Sequence, residues 1–410
     1  MSEKITVKNV VNINKSTLSA KDNWSTLKYL DTGNITENQI DTLQIFQKGE
    51  KLPSRAKRKV EKGTIIYSTV RPNQKHFGYF DAHSNDLVVS TGFATLDVID
   101  PRVNSKYLYY LLTQNSVISQ LQSIGENSTS SYPSIRPEDI GNLSFMFPDI
   151  DIQNKIADIL TSIDKKIQIN NQINQELEAM AKTLYDYWFV QFDFPDQNGK
   201  PYKSSGGKIF YHPELKREIP EGWGVDSLWN IANFYNGLAM QKYRPVTTED
   251  DYLPVIKIRE MMNGFSKDTE KARLDIPTEA VVERGDILFS WSATLEVIIW
   301  GKEKGALNQH IFKVTSETYP KSFIYFELKS YLKVFKSIAE LRKTTMGHIT
   351  QDHLKQAKIV VPPIELISKL DTQLQPIMSQ QQILENQNQE LTQLRDWLLP
   401  MLMNGQVKVE

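Results

Sequence analysis

The sequence predicts an α+β protein in which two mixed α/β globular domains alternate with two long helices, the second half repeating the first. Three observations carry this. Sliding the chain along itself by 214 positions places Asn174-Gln175-Glu176-Leu177 on Asn388-Gln389-Glu390-Leu391 without a gap. The same shift places Ile135, Pro148, Leu160, Ile163, Ile169 and Leu184 on Ile349, Pro362, Leu374, Ile377, Ile383 and Leu398, a two-copy internal repeat. Upstream the offset drifts to 222, where Val60-Glu61-Lys62-Gly63 and Ile65 match Val282-Glu283-Arg284-Gly285 and Ile287. Within each copy the composition switches once, from short β-branched and aromatic runs broken by Gly, Pro, Asn and Asp to a stretch without glycine.

Residues 1–148 form the first globular domain, with a strand over 64–69 that includes Ile65, Ile66 and Tyr67. Residues 149–192 form the first spacer, with a helix over 153–189. Ile156, Leu160, Ile163, Ile167, Asn170, Asn174, Leu177, Ala181, Leu184 and Trp188 recur on it at alternating spacings of four and three. That is a heptad seam interrupted by two asparagines. Residues 193–360 form the second domain, with the matching strand at Ile287, Leu288 and Phe289. Residues 361–410 form the second spacer, with a helix over 364–403 and a seam of Leu370, Leu374, Ile377, Gln381, Leu384, Asn388, Leu391, Arg395, Leu398 and Leu402. Two matched seams predict that the helices pack on each other. Pro376 predicts a kink, or a separate short helix before it, because a proline inside a helix removes a hydrogen bond. Asn174 and Asn388 hold equivalent seam positions. In antiparallel packing they would meet and fix register at some loss of stability; the competing reading leaves both solvated on an edge.

The 410 residues, 40% of them hydrophobic, suit two or three soluble domains. The absence of cysteine removes disulfides, thiolate zinc sites, iron–sulfur clusters and thiol nucleophiles. The first residues show no basic-then-apolar leader, and the longest apolar runs, such as 297–300, fall far short of a membrane span. A cytoplasmic chain with no membrane partner is expected. The net charge of −1 hides a division: residues 149–190 and 361–410 each carry −3, which leaves +5 on the globular domains. Mildly basic domains fit contact with phosphate, and acidic helices fit contact with protein.

Signals for catalysis are few. The chain has no Gly-rich phosphate loop ending in Gly-Lys-Ser/Thr, no HExxH, no GxSxG and no Asn/Asp-Pro-Pro-Tyr/Phe motif. Its six histidines show no metal-ligand spacing. Pro195-Asp196 followed by Glu214-Leu215-Lys216 superficially matches the carboxylate–carboxylate–lysine set of metal-dependent nucleases. A stand-alone metal-dependent nuclease or methyltransferase is thus the alternative reading.

Nucleic-acid contact has more support. Lys51, Arg55, Lys57, Arg58, Lys59 and Lys62 crowd one segment, and Arg71, Asn73, Lys75 and His76 follow the strand over 64–69. Arg reads guanine and Asn reads adenine in the major groove, whereas Lys mostly finds phosphate. A Ser/Thr-rich loop over 127–132, with Ser130 and Tyr132, adds hydroxyls ahead of Arg136. The second domain offers Lys242 and Arg244; Ser290 to Thr294, with Ser292 and Thr294, after its matching strand; Asn308 to His310, with Gln309 and His310; and Arg342 to Thr345, with Arg342, Lys343 and Thr344, beside His348. The competing reading of each cluster is a solvated charged face.

Gln153-Asn154-Lys155-Ile156-Ala157-Asp158-Ile159-Leu160, just after Pro148, resembles the first conserved spacer of the specificity subunit of type I restriction–modification enzymes. Tyr187-Trp188-Phe189, Phe192-Asp193-Phe194 and Ile219-Pro220-Glu221-Gly222-Trp223 resemble that family's entry into its second target-recognition domain. Pro362-Pro363-Ile364-Glu365 and Leu394-Arg395-Asp396-Trp397-Leu398-Leu399-Pro400 resemble its second spacer. The sequence departs from the pattern at Ile367, where glutamine is usual, and at Pro376.

The resemblance implies two target-recognition domains joined by two long antiparallel coiled-coil helices in a pseudo-two-fold molecule. Each domain would read one half of a bipartite, asymmetric site on double-stranded DNA, and the helices would set the gap. A helix of about 36 residues is roughly 54 Å long, enough to span one duplex turn of about 34–36 Å. The resemblance also implies two methyltransferase subunits docked on the spacers, two ATP-dependent restriction subunits, and S-adenosylmethionine, ATP and Mg²⁺ held by those partners. This chain would hold no cofactor, no metal and no catalytic residue. Different residues at matched positions such as Arg71 and Ala293 predict a non-palindromic target.

Overall fold

The computed structural model describes residues 4–19, 21–83, 85–128, 131–247, 251–341 and 347–409. Contacts divide the chain into two compact units, Met1–Lys166 with Leu391–Glu410, and Ile167–Glu390.

In the first unit, Ile65–Ser68, whose side chains are all buried, pairs antiparallel with Phe93–Val98 on one side and Phe77–Tyr79 on the other. Val11–Ile13 completes this four-stranded sheet beyond Phe93–Val98. A second sheet orders Gln44–Gln47, Thr26–Leu30, Leu87–Ser90 and Ala56–Lys59, with its middle pair parallel. Ile66, Val89 and Phe93 share one small core. Ile65, Tyr67 and Leu96 face a larger one that takes in the helix Ser105–Leu112, Ile156 and Leu160, and Leu402 from near the C-terminus. The alternation along Ile65–Ser68 therefore feeds two cores from two faces of one strand.

The second unit repeats the plan. Asn233–Asn236, Ile311–Thr315, Ile287–Ser290 and Glu296–Ile299 form an antiparallel sheet in the same order. Lys271–Arg273, Tyr252–Ile256, Gly305–Leu307 and Val281–Val282 form the other, again with a parallel middle pair. The short edge pairings repeat too: Ile5–Thr6 with Ser144–Phe145, and Gly224–Ser227 with Lys358–Val361.

The first long helix is Ile150–Tyr185, and it ends in a π-helical turn, Asp186–Val190, that buries Trp188 and Phe189. Wide turns of this kind mark places where packing overrides the regular helix. Here an aromatic cluster of Tyr185, Phe189, Trp223, Phe323 and Phe326 does so. The second long helix, Ile364–Met403, is continuous through Pro376, without a separate short helix before it. Pro376 itself is exposed, while Leu374 and Ile377 beside it are buried. Burial of its neighbours outweighs the one hydrogen bond lost.

The seam positions turn inward. On the first helix Ile156, Leu160, Ile163, Asn170, Ala181 and Trp188 are buried and Ile167, Asn174, Leu177 and Leu184 half-buried. On the second, Leu370, Leu374, Ile377, Leu384 and Leu402 are buried, and Gln381, Asn388, Leu391, Arg395 and Leu398 half-buried. Within the second unit the helices run antiparallel. Asn170 donates to Asn388 Oδ1 at 2.9 Å, Asn388 donates to Asn171 at 2.7 Å, and Gln381 donates to the Asn174 carbonyl at 3.3 Å. Asn388 thus meets Asn170 and not its repeat equivalent Asn174, because the equivalent residues lie a turn apart along the antiparallel pair. The offset that maps Asn174 on Asn388 maps Asn170 on Leu384. The counterpart of the Asn170–Asn388 contact is therefore Leu384 beside Asn174. Asn174 Oδ1 is buried and finds no partner among the described residues.

Candidate nucleic-acid interface

Each unit builds the same backbone device at the end of its central strand. In the first, Ser68 Oγ accepts from Val70 N–H at 3.1 Å, and Thr69 N–H donates to the Gly92 carbonyl at 2.9 Å. Arg71 N–H donates to the Pro133 carbonyl and Ile135 N–H to the Thr69 carbonyl, both at 2.8 Å. In the second, Trp291 N–H donates to the His310 carbonyl at 3.3 Å, Ala293 N–H to the Gly347 carbonyl at 3.0 Å and Ile349 N–H to the Trp291 carbonyl at 3.0 Å. The offsets of 222 and 214 carry the Arg71–Pro133 and Ile135–Thr69 bonds onto Ala293–Gly347 and Ile349–Trp291, and the donor Thr69 onto Trp291. Arg71 and Ala293 have φ values of 47° and 58°, a left-handed conformation that costs a non-glycine residue roughly 1–2 kcal/mol. Such strain persists where the surroundings over-determine the backbone, and it gathers at functional sites.

The side chains on this shared frame differ. Arg71, Asn73 and Gln74 are exposed around the turn Pro72–Gln74, whose Pro72 is buried. The Arg71 guanidinium lies 5.6 Å from the Tyr132 ring, and Asn73 N–H donates to Gln122 at 3.2 Å. These three residues present donors suited to base edges. Lys75 and His76 are engaged within the protein: Lys75 pairs with Glu37, and His76 Nδ1 donates to the Ile35 carbonyl at 2.5 Å. Arg136 is exposed and pairs with Asp139 at 3.3 Å.

In the second unit Trp291 occupies the place of Thr69. Its ring lies 5.7 Å from His310 and 6.5 Å from His348, and its Nε1 donates to Asn236 at 3.0 Å. Ser292 is buried and bridges to His348, whereas Thr294 is exposed. Gln309 donates to His310 Nε2 at 3.4 Å. Gly237 crosses the 308–309 backbone so closely that a Cβ there would stand 2.2 Å from the Asn308 carbonyl oxygen, so only glycine fits. That crossing carries the chain on to Lys242 and Arg244, both exposed.

The basic run of the first domain divides. On the strand Ala56–Lys59, Lys57 is exposed, Lys59 pairs with Asp22, and Arg58 is half-buried, burial pushing its guanidinium below the usual range. Arg55 is exposed, and its carbonyl accepts Thr91 N–H at 2.9 Å. Ser130, Arg342, Lys343 and Thr344 lie outside the described residues. Sequence reasoning missed Gln74 and Asn236 and held Trp291 only as part of the run 290–294; the offset of 222 that aligns Trp291 with Thr69 is the signal that singles it out.

Among the described residues no group of His, Asp and Glu is placed to hold a metal ion. Asp196 accepts the backbone N–H groups of Asn198 and Lys200, both at 2.8 Å, and so closes a turn. Glu214 lies in the turn of the hairpin formed by Ile209–His212 and Arg217–Pro220, and pairs with Lys358 at 3.1 Å. These acids serve local structure, and the nuclease alternative is not favoured.

The sequence model of the type I restriction modification DNA specificity domain matches residues 2–179 and 220–393. The chain belongs to this family. The type I restriction enzyme HindI specificity subunit of Haemophilus influenzae is 26% identical, over 92% of this chain and 94% of its own. The MjaIX specificity subunit of Methanocaldococcus jannaschii is 27% identical, over 93% of this chain and 84% of its own. The crystal structure of the type I restriction–modification S subunit from M. genitalium shares the fold, with a TM-score of 0.52 at 15% identity over 98% of this chain and 96% of that one. The two matched segments follow the duplicated frame, so the specificity subunit carries its DNA-recognition function on two copies of one fold.

Proposed function

We propose that each recognition domain of this specificity subunit reads one half of a bipartite, asymmetric DNA site, with the turn after the central strand entering the groove. The observation that carries this reading is the duplicated frame: identical backbone bonds present Arg71, Asn73 and Gln74 in one copy and Trp291, Thr294 and His310 in the other. A fixed frame with exchanged side chains suits two different half-sites. The domains are residues 1–148 and 193–360. The spacers, 149–192 and 361–410, set the gap and dock two methyltransferase subunits, and two ATP-dependent restriction subunits complete the assembly. S-adenosylmethionine, ATP and Mg²⁺ belong to those partners; this chain is non-catalytic and works in the cytoplasm. No helix among the described residues is long and apolar enough to cross a membrane.

The test is modified-base sequencing of DNA from a methylation-free host expressing this chain with its methyltransferase. One interrupted motif, modified on both strands and lost without this chain, is the expected result. An assembled complex that leaves no motif would refute the reading.

A further inference from the structure

The turn over 71–75 is bounded by left-handed residues at both ends, Arg71 and Lys75, and is bonded to a second left-handed pair, Glu37 and Asn38. Glu37 N–H donates to the Lys75 carbonyl and Asn38 N–H to the Phe77 carbonyl, both at 2.9 Å, and Asn38 Oδ1 accepts Tyr79 N–H at 2.8 Å. The Glu37 carboxylate then divides its two oxygens. Oε1 takes the Lys75 ammonium, and Oε2 faces the Arg395 guanidinium at 3.7 Å. Arg395 belongs to the second long helix. It also pairs with Asp164 of the first long helix at 3.2 Å and with Asp396 at 3.0 Å, and Tyr110 donates to the other Asp164 oxygen at 2.7 Å. Burial works against the Arg395 charge, but Asp164, Asp396 and Glu37 outweigh it and hold the guanidinium above its ordinary range. These groups line a cavity of about 260 Å³.

We infer that Arg395 is a positioning residue for DNA recognition: through Glu37 it fixes Lys75, and with it the turn that presents Arg71, Asn73 and Gln74. No other cation contacts Glu37 Oε2 among the described ion pairs. Loss of Arg395 therefore leaves Glu37 anchored only to the turn it should hold. A helix residue thus controls the shape of a reading loop that it does not itself belong to. This inference rests on the proposed reading of that turn as a DNA contact.

The test uses the assembled methyltransferase and duplexes that carry single-base changes in either half-site. Arg395→Met and Glu37→Gln are compared with Arg395→Lys, which keeps the charge, and with Arg71→Ala, which probes the turn directly. Glu37→Gln leaves the Arg395–Asp164 contact in place and so covers the case in which Arg395→Met fails to fold. Arg395→Met and Glu37→Gln should lower discrimination at the half-site of the first domain by about tenfold and leave the other half-site unchanged, with Arg395→Lys partly restoring it. Amide exchange of peptides covering 71–77 in the DNA-free complex should quicken in the same two variants. If Arg71→Ala alters discrimination but neither Arg395→Met nor Glu37→Gln does, the positioning role is wrong and the reading of the turn stands. If Arg71→Ala also leaves discrimination unchanged, the reading of the turn fails and takes this inference with it.

Discussion

Arg71 and Ala293 hold one backbone geometry in two copies, yet only the arginine brings donors to the surface. Arg71→Ala should therefore weaken binding of the cognate duplex by about 1–3 kcal/mol, the range for one good bidentate base contact, and relax selection at one position. Competition binding against single-base variants of the site checks this; a uniform loss across all variants would reassign Arg71 to phosphate. Lys57 and Lys59, two residues apart, should behave differently. Lys57 is exposed and Lys59 is neutralised by Asp22, so Lys57→Ala should reduce the salt slope of DNA binding by about one and Lys59→Ala should not. Burial of Glu327, against a hydrogen bond from Tyr185 and the nearby Arg217 charge, raises its pKa from 4.5 to about 7. The fold then holds a proton that the unfolded chain has lost, so this group makes stability fall as pH rises from about 4.5 to 7. Glu327→Gln keeps an acceptor for Tyr185 and should remove that slope. Urea midpoints at pH 5 and pH 8 that move in parallel for both proteins would exclude it.

The helices and the sheets differed in how far the sequence disclosed them. A heptad seam is a local pattern with a fixed period, so Ile156, Leu160 and Ile163 mark the buried face of the first helix in the sequence itself. Strand pairing is not local. Nothing near residue 56 announces that the run of Lys57, Arg58 and Lys59 lies on a strand paired with Leu87–Ser90, which is why that run resembled one basic patch. The candidate turn at Arg71 is legible from its residue types, whereas Trp291, inside the run 290–294, is not singled out because a tryptophan after a strand looks like core. The seam asparagines were legible as positions but not as partners, since the register of an antiparallel pair depends on both helices at once. Their environments differ in a measurable way. Asn170 and Asn174 both leave a buried Oδ1 without a partner among the described residues, but Asn170 donates to Asn388 at 2.9 Å, whereas Asn174 reaches the Gln381 carbonyl only at 3.5 Å. Asn170→Leu should therefore cost about 1 kcal/mol more than Asn174→Leu. Denaturant midpoints in which Asn174→Leu is the more damaging would contradict this assignment.

At the scale of the whole molecule, duplication predicts separable function. Replacing residues 193–360 by the corresponding domain of a homologous specificity subunit should change one half of the methylated motif and leave the other, as read by modified-base sequencing; a change in both halves would end the modular view. The division of the chain also has a consequence for its synthesis. Ile167–Glu390 is one continuous stretch, whereas the other unit is assembled from Met1–Lys166 and Leu391–Glu410. Leu402 is buried in that unit's core, and Leu398, Leu399 and Met403 lie against it. During synthesis Leu391–Glu410 follows the whole of Ile167–Glu390, so the first unit's core receives Leu402 only after the chain of the other unit has been made. One core is thus contiguous in time and the other is interrupted.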